Sequence, residues 1–336
     1  MDGTLSLALD NILSPPVLFF ALGLAASLAR SDLAIPEAVA KTLAIYLMIA
    51  IGFKGGVEVA KFGFDTGLIM ALIGGAVLSA LIPLTAFFYL RSLSRLGTTD
   101  AAAVAAHYGS ISIVTLVAAT QAVRSLGLQA EGYIVAVAAV METPAILTAL
   151  WMAVRFGGKE RQEKGGPVEQ DDGTRKALMR EIMLNGSVVV LVGAFVIGWI
   201  TGEEGLERIA PFIVDPFQGV LCLFLLDMGV VAGRGLRQGA KLLDWRLVVF
   251  GLTMPLIGAV MAMPVARIIG LQAGGAALLI TLAASASYIA VPAAMRVALP
   301  DAKPAIYLTL SLGITFPFNL TLGIPLYAAW GTFLAG

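Results

Sequence analysis

Residues 101–119, AAAVAAHYGSISIVTLVAA, and residues 276–294, AALLITLAASASYIAVPAA, decide the fold. Each is an apolar run interrupted by Ser-x-Ser. Sliding the chain on itself by 175 positions lays Ser110 on Ser285 and Ser112 on Ser287, with Ala101, Ala102, Ala118 and Ala119 on Ala276, Ala277, Ala293 and Ala294. The same shift puts Gly23 on Gly198 and Pro36 on Pro211, and a shift of 173 puts Pro144 on Pro317. Alanine coincidences arise easily in an apolar chain, so the serine and proline matches carry the weight. The chain reads as a duplicated unit.

Of the 336 residues, 59% are apolar and only 13% charged, with a mean hydropathy of +0.91. Soluble domains are about 25% charged, so a water-facing surface for this much chain cannot be assembled. Spanning helices need about 20 apolar residues each. Such stretches fall at 14–30, 35–53, 66–90, 101–123 and 131–155, then at 183–200, 211–233, 246–268, 274–297 and 303–333. Between the two sets, Arg155 to Glu181 carries seven of the 22 basic and six of the 22 acidic residues around Gly165, Gly166 and Pro167, a solvated linker. The expected organisation is a first five-helix repeat over 1–155, a charged linker over 156–182 and a second repeat over 183–336. Five helices is an odd number, so the second copy enters the membrane from the opposite side. The fold class is therefore all-α and polytopic, with ten transmembrane helices as two inverted five-helix repeats. Inverted repeats with interrupted helices are the plan of secondary transporters, whose sites lie near the bilayer midplane between the copies.

Basic loop residues set orientation. Seventeen lie on the linker side, including Arg30, Lys41, Arg91, Arg95, Arg234 and Lys303, against five on the other: Lys54, Lys61, Arg124, Arg208 and Arg267. The linker is expected to be cytoplasmic and both termini outside. The stretch at 14–30 follows Asp2 and Asp10 rather than a basic segment, so it reads as a retained span and not a signal peptide. A formal charge of zero with interleaved acids argues against nucleic-acid binding. The one cysteine, Cys222, allows neither an intrachain disulfide nor a thiolate cluster. No nucleophile–base pair, transition-metal cluster or phosphate loop is written in the sequence, which argues against an enzyme.

Counting 1.5 Å per residue along each helix, Ser110, Ser112, Ser285, Ser287, Glu142, Thr315 and Asn319 all lie roughly 15 to 24 Å from a helix start, near mid-membrane. An acid at that depth is costly and functional by default, which singles out Glu142. Pro144, Pro292 and Pro317 lack an N–H and are expected to break their helices. Freed carbonyls, serine hydroxyls and one carboxylate suit a hard monovalent cation such as Na⁺, while half-helix N-termini suit an anion. No intramembrane Lys or Arg accompanies these groups in helices 4, 5, 9 or 10, and Ala105, Ala106, Gly109, Ala283, Ala284 and Ala286 allow close backbone approach, so the site is small. His107, three residues before Ser110, is a polar packing residue or a proton relay. Asp227 is expected in a local salt bridge with Arg234 and Arg237 near the cytoplasmic end of helix 7.

The run ASASYIAVPAAMR at 284–296, ALP at 298–300 and ITFPFNLTLGIPLY at 314–327, with GSIS at 109–112, IPEA at 35–38 and METPA at 141–145, resembles the sodium-dependent bicarbonate transporter family across nearly the whole chain. The chain departs from the family pattern in carrying Glu142 for an aspartate, and His107 and Tyr108 for small residues. The resemblance implies Na⁺-driven bicarbonate uptake across a bacterial inner membrane by a homotrimer with the bile-acid sodium symporter fold. Helices 3–5 and 8–10 would form a mobile core, and helices 1, 2, 6 and 7 a scaffold, working as an elevator. It places substrate at Gly109, Ser110, Ser112, Ser285, Ser287 and Tyr288, and Na⁺ at Glu142, Thr315, Asn319, Ser112 and Ser287. Na⁺ is the coupling ion and no organic cofactor is implied. A small cytoplasmic signalling protein of the nitrogen-regulator type is implied as a partner by resemblance alone. Two other readings fit the same residues: a cation/proton exchanger using Glu142 and His107, and an ion-binding membrane sensor.

Overall fold

The computed structural model describes residues 13–62, 66–163, 186–239, 243–288 and 290–336, and within these the regular structure is helical. The helices are α1 (Pro15–Leu28), α2 (Glu37–Phe62), α3 (Thr66–Leu93), a broken α4 (α4a, Thr98–Gly109; α4b, Ile113–Ser125) and α5 (Ile134–Glu163). There follow α6 (Gly186–Ile213), α7 (Phe217–Gly239), α8 (Trp245–Ile269), a broken α9 (α9a, Ala273–Ala284; α9b, Ala290–Ala298) and α10 (Pro304–Ala335). Among the described residues seven helices are long and apolar enough to cross a membrane, and Pro15–Leu28 and Ala273–Ala284 are shorter apolar helices.

Local signals set the ends. Pro15 occupies the first turn of α1, where a missing N–H costs nothing. Asp244 caps α8 by accepting from Leu247 N–H at 3.0 Å, and Gly270 closes it in the left-handed conformation that side chains resist.

Several ends differ from those expected. α2 runs nine residues past 53, because Gly55 and Gly56 are packing sites rather than stop signals: Gly55 faces Val135, and Gly56 lies against the backbone of Phe195 and Trp199. α5 continues eight residues past 155, and residues 164–182 of the linker lie outside the described set. α6 bends at Gly202 (φ 59°) and resumes through Ile213, so α7 starts at Phe217 rather than 211.

Two groups of helices result. In one, α1 lies on α7 and α2 on α6; in the other, α3, α4a and α5 pack together, as do α8, α9a and α10. Close helix crossings need small residues. At the first, Gly23 lies on the Leu226 and Val230 backbone while Gly229 lies on that of Phe20 and Leu24; at the second, Gly56 and Gly198 play these parts. Gly23 and Gly198 are the pair 175 positions apart, and Gly56 and Gly229 are 173 apart. The broken helices are clasped across the halves as well. The Glu131 carboxylate accepts from Gln272 N–H at the start of α9a (2.8 Å), and Asp100 in α4a accepts from Lys303 N–H at the start of α10 (2.8 Å).

Candidate functional site

Serines, not prolines, interrupt α4 and α9. Ser110 ends α4a with extended backbone (φ −83°, ψ 164°) and Ser285 ends α9a in the same conformation (φ −82°, ψ 163°). Ser112 then starts α4b: its Oγ accepts from Thr115 N–H at 3.1 Å and from Thr115 Oγ1 at 2.9 Å, the N-cap role for which serine is suited.

The expected proline breaks are corrected. Pro144 sits inside the unbroken α5, and the adjoining link of that turn is braced by Ser79 of α3, whose hydroxyl donates to Met141 O and accepts from Ala145 N–H at 3.1 Å. Pro292 lies in the first turn of α9b, after the break rather than at it, where no N–H is needed. Pro317 lies in a short α-turn between two π-helical stretches, 309–315 and 319–323, so α10 widens without ending. Irregular winding of that kind frequently marks functional sites.

The two breaks cross and are tied together. Ser112 N–H donates to Ser285 Oγ at 2.9 Å, and Ser287 N–H donates to His107 O at 2.7 Å. Ser285 Oγ in turn donates to Leu282 O at 2.8 Å. Glu142 reaches the crossing from α5: its Oε2 accepts from Ser110 Oγ at 3.3 Å, and the residue is 3% exposed. Among the described residues no cationic side chain pairs with it. Beside the crossing is a cavity of about 20 Å³ between the two helix groups. Ser112, Glu142, Ser287 and Tyr288 form its polar lining, and Leu47 of α2 and Phe224 of α7 close it from the other group. The Tyr288 hydroxyl is buried toward Ser112 without completing a hydrogen bond.

The sequence-predicted residues therefore divide. Ser110, Ser112, Ser285, Ser287, Glu142 and Tyr288 come together. Thr315 and Asn319 are engaged in bracing the crossing: Thr315 Oγ1 bonds the Tyr108 hydroxyl and Gly251 O, each at 2.7 Å. Asn319 donates to Ala284 O at 2.8 Å and accepts from the Tyr327 hydroxyl at 2.8 Å. Gly109 has no room for a side chain, since a Cβ would run into Pro83 and Ala145. His107 is fully buried, stacked on Tyr307 at 4.4 Å, with Nδ1 2.6 Å from Ala103 O and Nε2 unpartnered.

The expected Asp227 salt bridge is not formed: Arg234 donates instead to Leu33 O at 3.3 Å, and Asp227 is buried. With α7 starting at Phe217, Asp227 stands about 15 Å along it, well inside the helix. Ser79, Thr115 and Tyr327 were not singled out by sequence, and Tyr108 stood out only as a departure from the family pattern. The Ser112-x-x-Thr115 spacing is a cap signal that was legible; the others act through partners far along the chain.

Among the described residues no three His, Cys, Asp or Glu side chains gather to hold a metal. One buried carboxylate, hydroxyl oxygens and helix-break backbone instead suit a weakly held monovalent cation, and the N-terminus of α4b at the cavity suits an anion. Apolar helices of this length, with two broken ones crossing at a small polar cavity, define a helical membrane transporter. The chain belongs to the Na⁺-dependent bicarbonate transporter superfamily, whose family model matches residues 15–332, nearly its whole length. A comparison with curated proteins finds no match.

Proposed function

We propose that the protein is a Na⁺-coupled symporter that imports bicarbonate or a similarly small anion. The observation that carries this is Glu142, a buried carboxylate with one long hydrogen bond and, among the described residues, no cationic partner, beside a cavity lined by hydroxyl groups. An unpaired ionised carboxylate away from water costs several kcal/mol. Na⁺ placed between Glu142, Ser110 and Ser112 offsets that cost and supplies the positive charge that lets an anion approach. The anion is then held by the Ser287 and Tyr288 hydroxyls and the Ile113 and Val114 amides at the start of α4b, which precede the first helical hydrogen bond.

Symport follows from this electrostatic dependence, since each ion favours the other and they cross together. An elevator motion, with α3–α5 and α8–α10 moving as a body against α1, α2, α6 and α7, is supported by the grouping of the helices and by the cavity's position between the groups. Inverted repeats are supported by the related glycine crossings, the shared Ser110 and Ser285 conformation and the reciprocal clasps. The basic-residue distribution supports a cytoplasmic linker and outside termini. The bacterial inner membrane, the homotrimer and the nitrogen-regulator-type partner rest on family resemblance. A proton exchanger gains little support, because His107 is stacked away from the cavity lining.

Uptake of labelled bicarbonate into proteoliposomes tests the proposal: uptake driven by an inward Na⁺ gradient supports it, and uptake indifferent to Na⁺ refutes it.

A further inference from the structure

We propose that a second cavity, a cleft of about 320 Å³, is the outer vestibule through which the anion reaches the serine breaks, and that an apolar layer one helical turn thick, centred on Leu221 and Phe224, is its gate. The inference rests on the transport reading above and adds to it a route and the barrier on that route.

The cleft lies where α4b ends and α1 and α7 begin, the end of the molecule from which α5 runs to the linker. Four helices wall it. Val17 of α1 and Leu221 of α7 come from one helix group, Ala118 of α4b and Leu320 of α10 from the group that carries the serine breaks. The cleft is therefore on the same seam as the inner cavity. Three or four residues from each of these, one turn deeper, stand Phe20, Phe224, Val114 and Phe316, all buried. Val114 and Phe224 line the inner cavity. Phe20 and Phe316 meet edge-on with ring centres 5.1 Å apart, and Phe316 meets Tyr288, which also lines that cavity, at 5.3 Å. The floor of the cleft and the roof of the cavity are thus the same turn, about 4.5 to 6 Å deep along each helix.

The chemistry on the two sides fits a path. Gln121, Ser125 and Gln218 bring amides and a hydroxyl to the cleft, and Ser125 and Gln218 are exposed, so it opens to the surface. It has room for a small anion that keeps part of its water shell. The inner cavity, about 20 Å³, has room for roughly one or two waters. An apolar constriction between two polar spaces stops ions by excluding water. Core packing accounts for the burial of the four deeper residues, but not for their falling in register between two cavities walled by α4b and α7 alike. Because two of the four come from each helix group, a shift of one group along the other opens the layer.

The gate is read with a cysteine at Ala44, which lines the inner cavity from α2, in a Cys222→Ala background. Right-side-out vesicles are treated with an impermeant methanethiosulfonate. Leu221→Ala and Phe224→Ala should each raise the labelling rate severalfold, with the milder Phe224→Leu between them and the parent. An unchanged rate in all three would overturn the gate. A second arm leaves the layer intact: a cysteine at Gln218, modified with methanethiosulfonates of increasing size, should slow labelled-bicarbonate uptake in step with size. Full uptake after complete modification by the largest reagent would overturn the vestibule, as expected of a crevice that holds only lipid. If unmodified wild type takes up no bicarbonate, the proposed function fails, while the Ala44 labelling rates still decide this inference.

Discussion

Ser285→Ala and Ser287→Ala remove the same atom two residues apart yet should behave differently. The Ser285 hydroxyl is committed to the protein, accepting from Ser112 N–H at 2.9 Å and donating to Leu282 O at 2.8 Å. Its loss strands the buried Ser112 amide at the point where α4 and α9 cross. An unsatisfied buried group costs about 1 to 3 kcal/mol, so Ser285→Ala should lower the melting temperature in detergent measurably. The Ser287 hydroxyl lines the cavity, and only its backbone N–H is tied, to His107 O. Removing it should leave stability within about 0.5 kcal/mol. It should instead weaken the anion by about 1.5 to 3 kcal/mol, the worth of a hydrogen bond to a charged group, or about 10- to 150-fold in affinity. The assays are thermal unfolding of the purified variants and the KM for labelled bicarbonate in proteoliposomes. A Ser287→Ala protein that melts as low as Ser285→Ala while keeping wild-type KM would refute the division of roles.

Ser79→Ala should destabilise α5 by about 1 to 3 kcal/mol, because it uncouples Met141 O from Ala145 N–H; it should also raise the Na⁺ concentration for half-maximal uptake, since Glu142 sits in that same turn, and an unchanged Na⁺ dependence would count against this link. Gly109→Ala should cost about 1 to 3 kcal/mol by overpacking against Pro83 and Ala145, read as a lower melting temperature; a melt equal to wild type would show that the neighbours yield. A cysteine at Gly166 in a Cys222→Ala background should resist an impermeant maleimide in intact cells and react after lysis, whereas labelling of intact cells would reverse the orientation.

Much of the site was legible because its residues break a local rule in plain sight. Serine pairs recurring at a fixed shift in otherwise apolar runs, and a lone glutamate in a spanning segment, stand out without any partner being known. What was hidden is non-local. Pro144 looked like a break because its missing N–H is a property of the chain, whereas the brace on that turn comes from Ser79, more than 60 residues earlier and ordinary in its own context. The second span was expected to end at 53; only the α2–α6 crossing, where Gly56 lies on the Phe195 and Trp199 backbone, explains why the helix runs on. Asp227 looked paired because Arg234 and Arg237 follow it, yet the Arg234 guanidinium is taken up by Leu33 O.

The central claim is that Glu142 binds the coupling cation and through it admits the anion. Its most direct test is labelled-bicarbonate uptake by proteoliposomes of wild type and Glu142→Gln, measured across Na⁺ concentrations. Gln keeps an oxygen and loses the charge. The account predicts steep Na⁺ activation in wild type and its loss or near loss in the variant; normal Na⁺ activation in Glu142→Gln would contradict it.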